Sequence, residues 1–103
     1  MKSHLLQELN WAQIAEYLST KDVILFPVGS TEQHGQHLPL MTDSAWAVEV
    51  AEAVAAREKV LISPPLLFGW TPHHLSYPGT ITLKPETMIQ VIMDVKLGVR
   101  RNL

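Results

Sequence analysis

The run Val23-Ile24-Leu25-Phe26-Pro27-Val28 is apolar without interruption and closes on Gly29. A strand with one wet face alternates apolar and polar residues; an unbroken, β-branched run reads instead as a strand covered on both faces, the situation of a parallel sheet flanked by helices. Shorter apolar runs at Val60-Leu61-Ile62 and Ile81-Thr82-Leu83 supply candidate neighbours. Parallel strands need crossover connections, so the segments between them should be helical.

They carry the required periodicity. Asn10 is placed to cap a helix in which Trp11, Ile14, Ala15 and Leu18 recur at i, i+3, i+4 and i+7. Thr42 or Asp43 caps the alanine-rich segment DSAWAVEVAEAVAAREK, with Ala47, Val50, Ala51 and Val54 along one face. Lys84-Pro85-Glu86 opens a third helix with Met88, Val91, Ile92 and Val95 on one side. Trp46, Met88 and Met93 have apolar neighbours and are expected in the core. Strands alternating with helices in this way predict βαβ units and an α/β layered fold whose ligands bind in loops at the carboxyl ends of the strands.

Bulk properties narrow the function. A chain of 103 residues, 47% hydrophobic and 17% charged, is one folded domain, small for an enzyme that must also enclose a substrate. Eight basic residues against ten acidic ones, with Arg100-Arg101 the only basic cluster, leave no footprint for nucleic acid. The start, MKSHLLQELNWAQIAEYL, has neither the apolar core of a signal peptide nor the length of a membrane span, and a cytoplasmic protein is expected. The absence of cysteine removes disulfides and thiolate ligands, so a metal would be held by histidine and carboxylate.

Those residues concentrate in one place. From Ser30 to Thr42 the chain is polar, contains glycine and is broken by Pro39, a long loop directly after the first strand. Glu32 and His34 are two apart, so in an extended segment their side chains point to the same side; Asp43 follows at a helix start. Carboxylate, imidazole and carboxylate suit zinc, manganese or magnesium. Spacing alone leaves open the reading of an exposed polar loop that holds these residues by chance. After Ser63-Pro64-Pro65, the irregular stretch LLFGWTPHHLSYPGT forms a second loop of the same kind.

The segment PVGSTEQHGQHLPLMTD resembles the signature of the creatininase family, in which a buried strand runs into GSxEQHGxHLPLxTD, and PHHLSYPGTITL resembles that family's HHxxFPGT element, with Tyr77 where phenylalanine is common. The resemblance covers the chain from Val23 onward. It implies a three-layer creatininase-like α/β fold, with a mostly parallel sheet flanked by helices, of which residues 1–103 are the N-terminal portion of a single domain. It implies a binuclear site of two divalent ions (Zn, Mn or Mg), with Glu32 a ligand of one, His34 of the other, and Asp43 bridging both. In such enzymes the metal pair activates a water for attack on an amide carbon and polarises the carbonyl oxygen. The substrate would be a small-molecule amide; family members act on creatinine, on a nucleotide intermediate and on a redox peptide.

Around the three ligands, Gln33 is placed to hydrogen-bond near the site. His37, three residues beyond His34, is a candidate to hold a ligand in orientation, with a hydrogen bond to loop backbone as its ordinary alternative. His74 matches the family's histidine before the PGT element and is a candidate for the pocket wall, whereas His73 reads as a surface residue. Trp70 and Thr71 could also form pocket wall, although a tryptophan beside a glycine more often serves the core or an interface. Gly29 and Gly35 answer to backbone conformation.

Full-length members of the family run to more than twice this length. The segment LGVRRNL resembles the element before the family's next strand and its NGHGGN-like loop, which carries a histidine and, in many members, an acidic ligand. A truncated form is therefore expected, with an incomplete metal site completed by a C-terminal segment; homo-oligomers are common in the family. The alternative is a non-catalytic remnant or assembly module of the same fold, with weak metal binding or none.

Overall fold

The computed structural model describes residues 3–100; Met1, Lys2 and Arg101 to Leu103, hence part of the terminal arginine pair, lie outside them. Strand β1 (Ile24–Leu25) pairs in parallel with β2 (Leu61–Ile62), with Ile24 opposite Leu61 and Leu25 opposite Ile62. The ladder outlasts both strands. Two prolines after Ser63 interrupt it, since proline has no N–H to donate, and it resumes where Leu66 N–H donates to Pro27 O and Gly29 N–H to Leu66 O, both at 2.9 Å. The chain is thus strand-like up to Gly29, as its apolar run predicts.

Burial is uneven between the two strands. Leu61 and Ile62 are buried, whereas β1 is half-buried and Val23 and Val28 are exposed. The reason is position: β2 has β1 on one side and the N-terminal segment on the other, where Ile62 N–H donates to His4 O, while β1 is an edge strand among the described residues. The coverage expected of Val23 to Val28 belongs to β2.

Helix α1 (Trp11–Leu18) begins with a capping box, Asn10 and Gln13 each accepting the other's backbone N–H at 2.9 Å. Its buried residue is Tyr17, whose hydroxyl donates to Val23 O and accepts from Leu61 N–H, tying the helix to both strands. Of the predicted stripe, Ile14 and Leu18 are half-buried beside Tyr17, whereas Ala15 is exposed and Trp11 is 83% exposed.

Helix α2 (Thr42–Glu58) turns inward a face that overlaps the expected one at Ala51 but leaves out Val50 and Val54. Ser44, Ala51 and Ala55 are buried, and Ala51 and Ala55 meet Val60 and Ile62 in the core, with Leu5 and Leu25 at its margin. Small residues allow the helix axis close to the sheet; the bulkier Val50, Val54 and Trp46 on the other faces are exposed, and Met93 of the third helix is exposed too. Neither Thr42 nor Asp43 is the cap: Met41 takes that position and both lie in the first turn. The helix stops at Lys59 in the left-handed conformation (φ 57°). Lys21 Nζ donates to the carbonyl of Glu58 at 3.1 Å and to that of Lys59, which satisfies helix-end acceptors.

Helix α3 (Pro85–Arg100) turns Met88, Val91, Ile92 and Val95 to its half-buried side, as the periodicity predicts. The segment Ile81 to Leu83 is not a strand. It makes single bridges, Ile81 to Thr31 and Thr82 to Gly69, and so stitches the two long loops to each other. Among the described residues no helix is long and apolar enough to cross a membrane.

Candidate metal centre

The site begins where β1 gives out. A β-carbon on Gly29 would stand 2.4 Å from Ser44, so only glycine lets the strand end come this close to the start of α2. The two are then clamped: Ser30 N–H donates to Ser44 Oγ (3.1 Å), and Ser44 Oγ donates to Ser30 O (2.8 Å). Asp43 is carried into place by this clamp, and Ser30 Oγ donates to its Oδ2 at 2.9 Å.

The loop next doubles back. Glu32 N–H donates to Leu40 O at 3.2 Å, His34 bridges Leu38, and Gly35 supplies the positive φ (73°) of the turn. Glu32 and His34 thereby face the start of α2. His34 Nε2 lies 3.2 Å from Asp43 Oδ1, and its Nδ1 lies 3.3 Å from the Glu32 carbonyl. A carbonyl only accepts, so Nδ1 carries a proton, and in a neutral ring Nε2 then turns its lone pair toward a carboxylate oxygen. Two acceptors facing each other require a cation between them, either a proton or a metal. Ligands each about 2.1 Å from a tetrahedral ion stand about 3.4 Å apart, close to the spacing found, so the donor set suits a divalent ion.

Glu32 is the more enclosed carboxylate, its side chain 16% exposed against 45% for Asp43. Its Oε2 accepts from Thr71 Oγ1 at 2.9 Å and lies 3.3 Å from His74 Nε2. Gln33 Nε2 meets His74 Nδ1 at 2.8 Å. The donor atoms of Glu32, His73 and His74 all lie within 4.8 Å of one another, so His73, exposed as expected, is nonetheless within reach. His37 is exposed, with its ring against Gly35.

Local electrostatics follow from these contacts. Burial pushes the Glu32 carboxyl up, but the hydroxyls of Ser30 and Thr71, with smaller contributions from the neighbouring Asp43 and His74, outweigh it and hold the group below the usual glutamate value. The His34 imidazole is raised, first by its bond to the Glu32 carbonyl, then by the Asp43 and Glu32 carboxylates, against a smaller opposing effect of burial.

A cleft of about 440 Å³ opens over the carboxylates, with Glu32 and Asp43 on its polar side and Trp70 and Met88 on its apolar side. Trp70 is thus cleft wall, not core. The groups that sequence reasoning passed over are Ser30 and Ser44, and Thr71, read only as possible pocket wall, turns out to hold Glu32. Their signal is only that hydroxyl residues flank each carboxylate, and nothing in a linear pattern says which hydroxyl reaches which.

A parallel α/β arrangement that carries imidazole and carboxylate groups in the loops beyond its strand ends defines the class: an α/β protein with a histidine–carboxylate centre. The family model described as creatinine amidohydrolase matches residues 7–102, and the chain belongs to the creatininase family. It is 37% identical to 3-dehydro-scyllo-inosose hydrolase of Thermotoga maritima, over 89% of this chain and 30% of that protein. To the mycofactocin precursor peptide peptidase of Mycobacterium tuberculosis it is 36% identical, over 84% of this chain and 39% of the relative. A solved creatinine amidohydrolase superposes with a TM-score of 0.90 at 29% identity, covering 98% of this chain and 41% of that one. Creatininase of the Mn form gives 0.84 at 29% identity, over 93% of this chain and 40% of that one. The fold is therefore that of creatininase, and the chain spans about 30–40% of the length of these curated relatives.

Proposed function

We propose that Glu32, His34 and Asp43 are metal ligands of a divalent-metal-dependent hydrolase of C–N amide bonds, similar to creatinine amidohydrolase. The observation that carries this reading is the facing pair of His34 Nε2 and Asp43 Oδ1, 3.2 Å apart, a spacing that fits a divalent ion between them once the imidazole is neutral. Asp43 neighbours both His34 and Glu32, the position from which one carboxylate serves two ions. Bound divalent ions supply an activated water and a polarised carbonyl. The chain's own part is to hold the ligands: the Ser30–Ser44 clamp fixes Asp43, and the carbonyl of Glu32 fixes the ring of His34. Trp70 and Met88 give the cleft an apolar wall against which a small amide would lie.

Residues 1–103 are in this reading the N-terminal portion of one domain, and the remaining ligands come from a further segment or a partner chain. Support comes from the solved creatininases, of which this chain spans 40–41%. Metal dependence is supported by the Mn form among them and by a Zn–Zn type, which superposes with a TM-score of 0.85 at 29% identity over 95% of this chain and 41% of that one.

The test is metal titration of the purified, dialysed protein with Mn²⁺ and Zn²⁺. Saturable binding is expected, and E32Q, H34A and D43N should each weaken it by more than about 100-fold, beyond what loss of an outer partner costs. Absence of saturable binding, or binding indifferent to all three substitutions, would leave the non-catalytic reading in its place. Hydrolysis assays then compare creatinine with a peptide amide.

A further inference from the structure

Behind Glu32 runs a directed chain of hydrogen bonds. Gly35 N–H can only donate, and it donates to Gln33 Oε1 at 2.9 Å. That contact orients the amide, so the group 2.8 Å from His74 Nδ1 is Gln33 Nε2, again a donor only. Nδ1 of His74 therefore accepts, and the ring proton sits on Nε2, which lies 3.3 Å from Glu32 Oε2. Thr71 Oγ1 donates to the same oxygen. The Thr71 hydroxyl, as a hydrogen-bond donor, and the His74 ring nitrogen, at 3.3 Å, thus both stand against Oε2 and leave Oε1 as the oxygen they do not engage. The backbone of Gln33 is pinned as well, its N–H donating to Thr80 Oγ1 at 3.1 Å.

We propose that Gln33 and His74 form a positioning relay: Gln33 fixes the Nε2–H tautomer of His74, and His74 with Thr71 orients Glu32 so that Oε1 is the oxygen offered to a metal. This rests on the reading of Glu32 as a ligand. In it His74 binds no metal itself, because Nδ1 is occupied by Gln33 and Nε2 carries the ring proton beside Glu32. The two histidines have opposite tasks and opposite tautomers. His34 is protonated at Nδ1 by its bond to a carbonyl and presents Nε2 to the site, while His74 is protonated at Nε2 and presents a hydrogen-bond donor. The competing arrangement is an ion held between Glu32, His73 and His74, whose donor atoms lie within 4.8 Å of one another.

Two measurements decide it. Two-bond ¹H–¹⁵N correlation spectra of the ¹⁵N-labelled protein report the tautomer of each imidazole; His74 should be the Nε2–H form, both metal-free and after addition of Zn²⁺. Competition with a chromophoric chelator gives Zn²⁺ affinity: H74L and Q33L should each weaken it by about 10- to 100-fold, H74Q should restore it because its amide nitrogen reaches the place of Nε2, and H73A should leave it unchanged. An Nδ1–H tautomer at His74, or H74L binding as tightly as wild type while E32Q does not, overturns the relay. Equal losses in H73A and H74L, with the His74 resonances moving on metal addition, assign the ion to the Glu32–His73–His74 cluster instead. If E32Q, H34A and D43N all bind like wild type, the ligand reading fails, and the tautomer of the wild-type protein still decides the relay. The spectra need no variant, so misfolding of H74L does not remove the test.

Discussion

Gly29 and Ser44 are in backbone contact across the junction of β1 and α2, with room for no side chain between them: a β-carbon at position 29 would stand 2.4 Å from both the Cα and the Oγ of Ser44. G29A must push the strand end and the helix start apart. We expect a loss of about 1–3 kcal/mol, the usual cost of overpacking, read from urea unfolding. Because Asp43 precedes Ser44, metal affinity should fall together with stability. Wild-type stability of G29A would show that the junction gives way easily.

Ser44 and Ser30 make an unequal pair of tests. S44A leaves the buried N–H and C=O of Ser30 without their partner, a loss of about 1–3 kcal/mol. S30A removes the hydroxyl that reaches Asp43 and supports Glu32, and should cost about 1 kcal/mol. Denaturant midpoints of the two variants compare them, and S30A proving the more damaging would show that the clamp is not what holds the site together.

The pH dependence of metal binding should report His34. Its raised imidazole favours the protonated form in the metal-free fold, so this contribution to stability is fully present below the ordinary value of 6.5 and is lost as pH rises through the higher folded value. A metal ligand must be deprotonated, so Zn²⁺ affinity should climb over that same window with release of a proton. Glu32 works in the opposite sense: its depressed carboxyl stabilises the fold above 4.5, and this is lost as pH falls through its lower folded value. Titrations across pH 5.5–8 should therefore show a pH-dependent affinity that H34A abolishes; persistence of the slope in H34A would point to another imidazole.

Lys59 ends α2 with φ at 57°, a conformation that disfavours any side chain. Its contact with Lys21 is made through the backbone carbonyl, which glycine keeps. K59G is expected to stabilise the protein by about 0.5–1 kcal/mol, seen as a raised thermal midpoint, with metal affinity unchanged. A lowered midpoint would mean that the lysine side chain itself packs.

Much of this was legible in the linear pattern because it depends on local chemistry. Asn10 caps α1 whatever else the chain does, Pro85 opens α3, and Gly35 takes the left-handed turn. Less legible was which face a helix buries. Of the face expected for α2, Ala51 does reach the core, but Val50 and Val54 are exposed and Ala55 is buried instead, since the approach of a helix to a sheet selects for small size as much as for hydrophobicity. Ile81 to Leu83 has the composition of a strand but bridges two loops, because its backbone partners are Thr31 and Gly69.

By itself the sequence determined the parallel character of the sheet, through an apolar run without alternation, and the neighbourhood of the site, through imidazole and carboxylate groups gathered in the loop after that run. Only the tertiary structure decided how those groups pair: His34 with Asp43, and Glu32 with His74 across 42 positions of chain. The physical reason is that side-chain pairing depends on where two loops are brought together in space. A tautomer is set by the partners that meet there, and no residue carries that information in its own position along the chain.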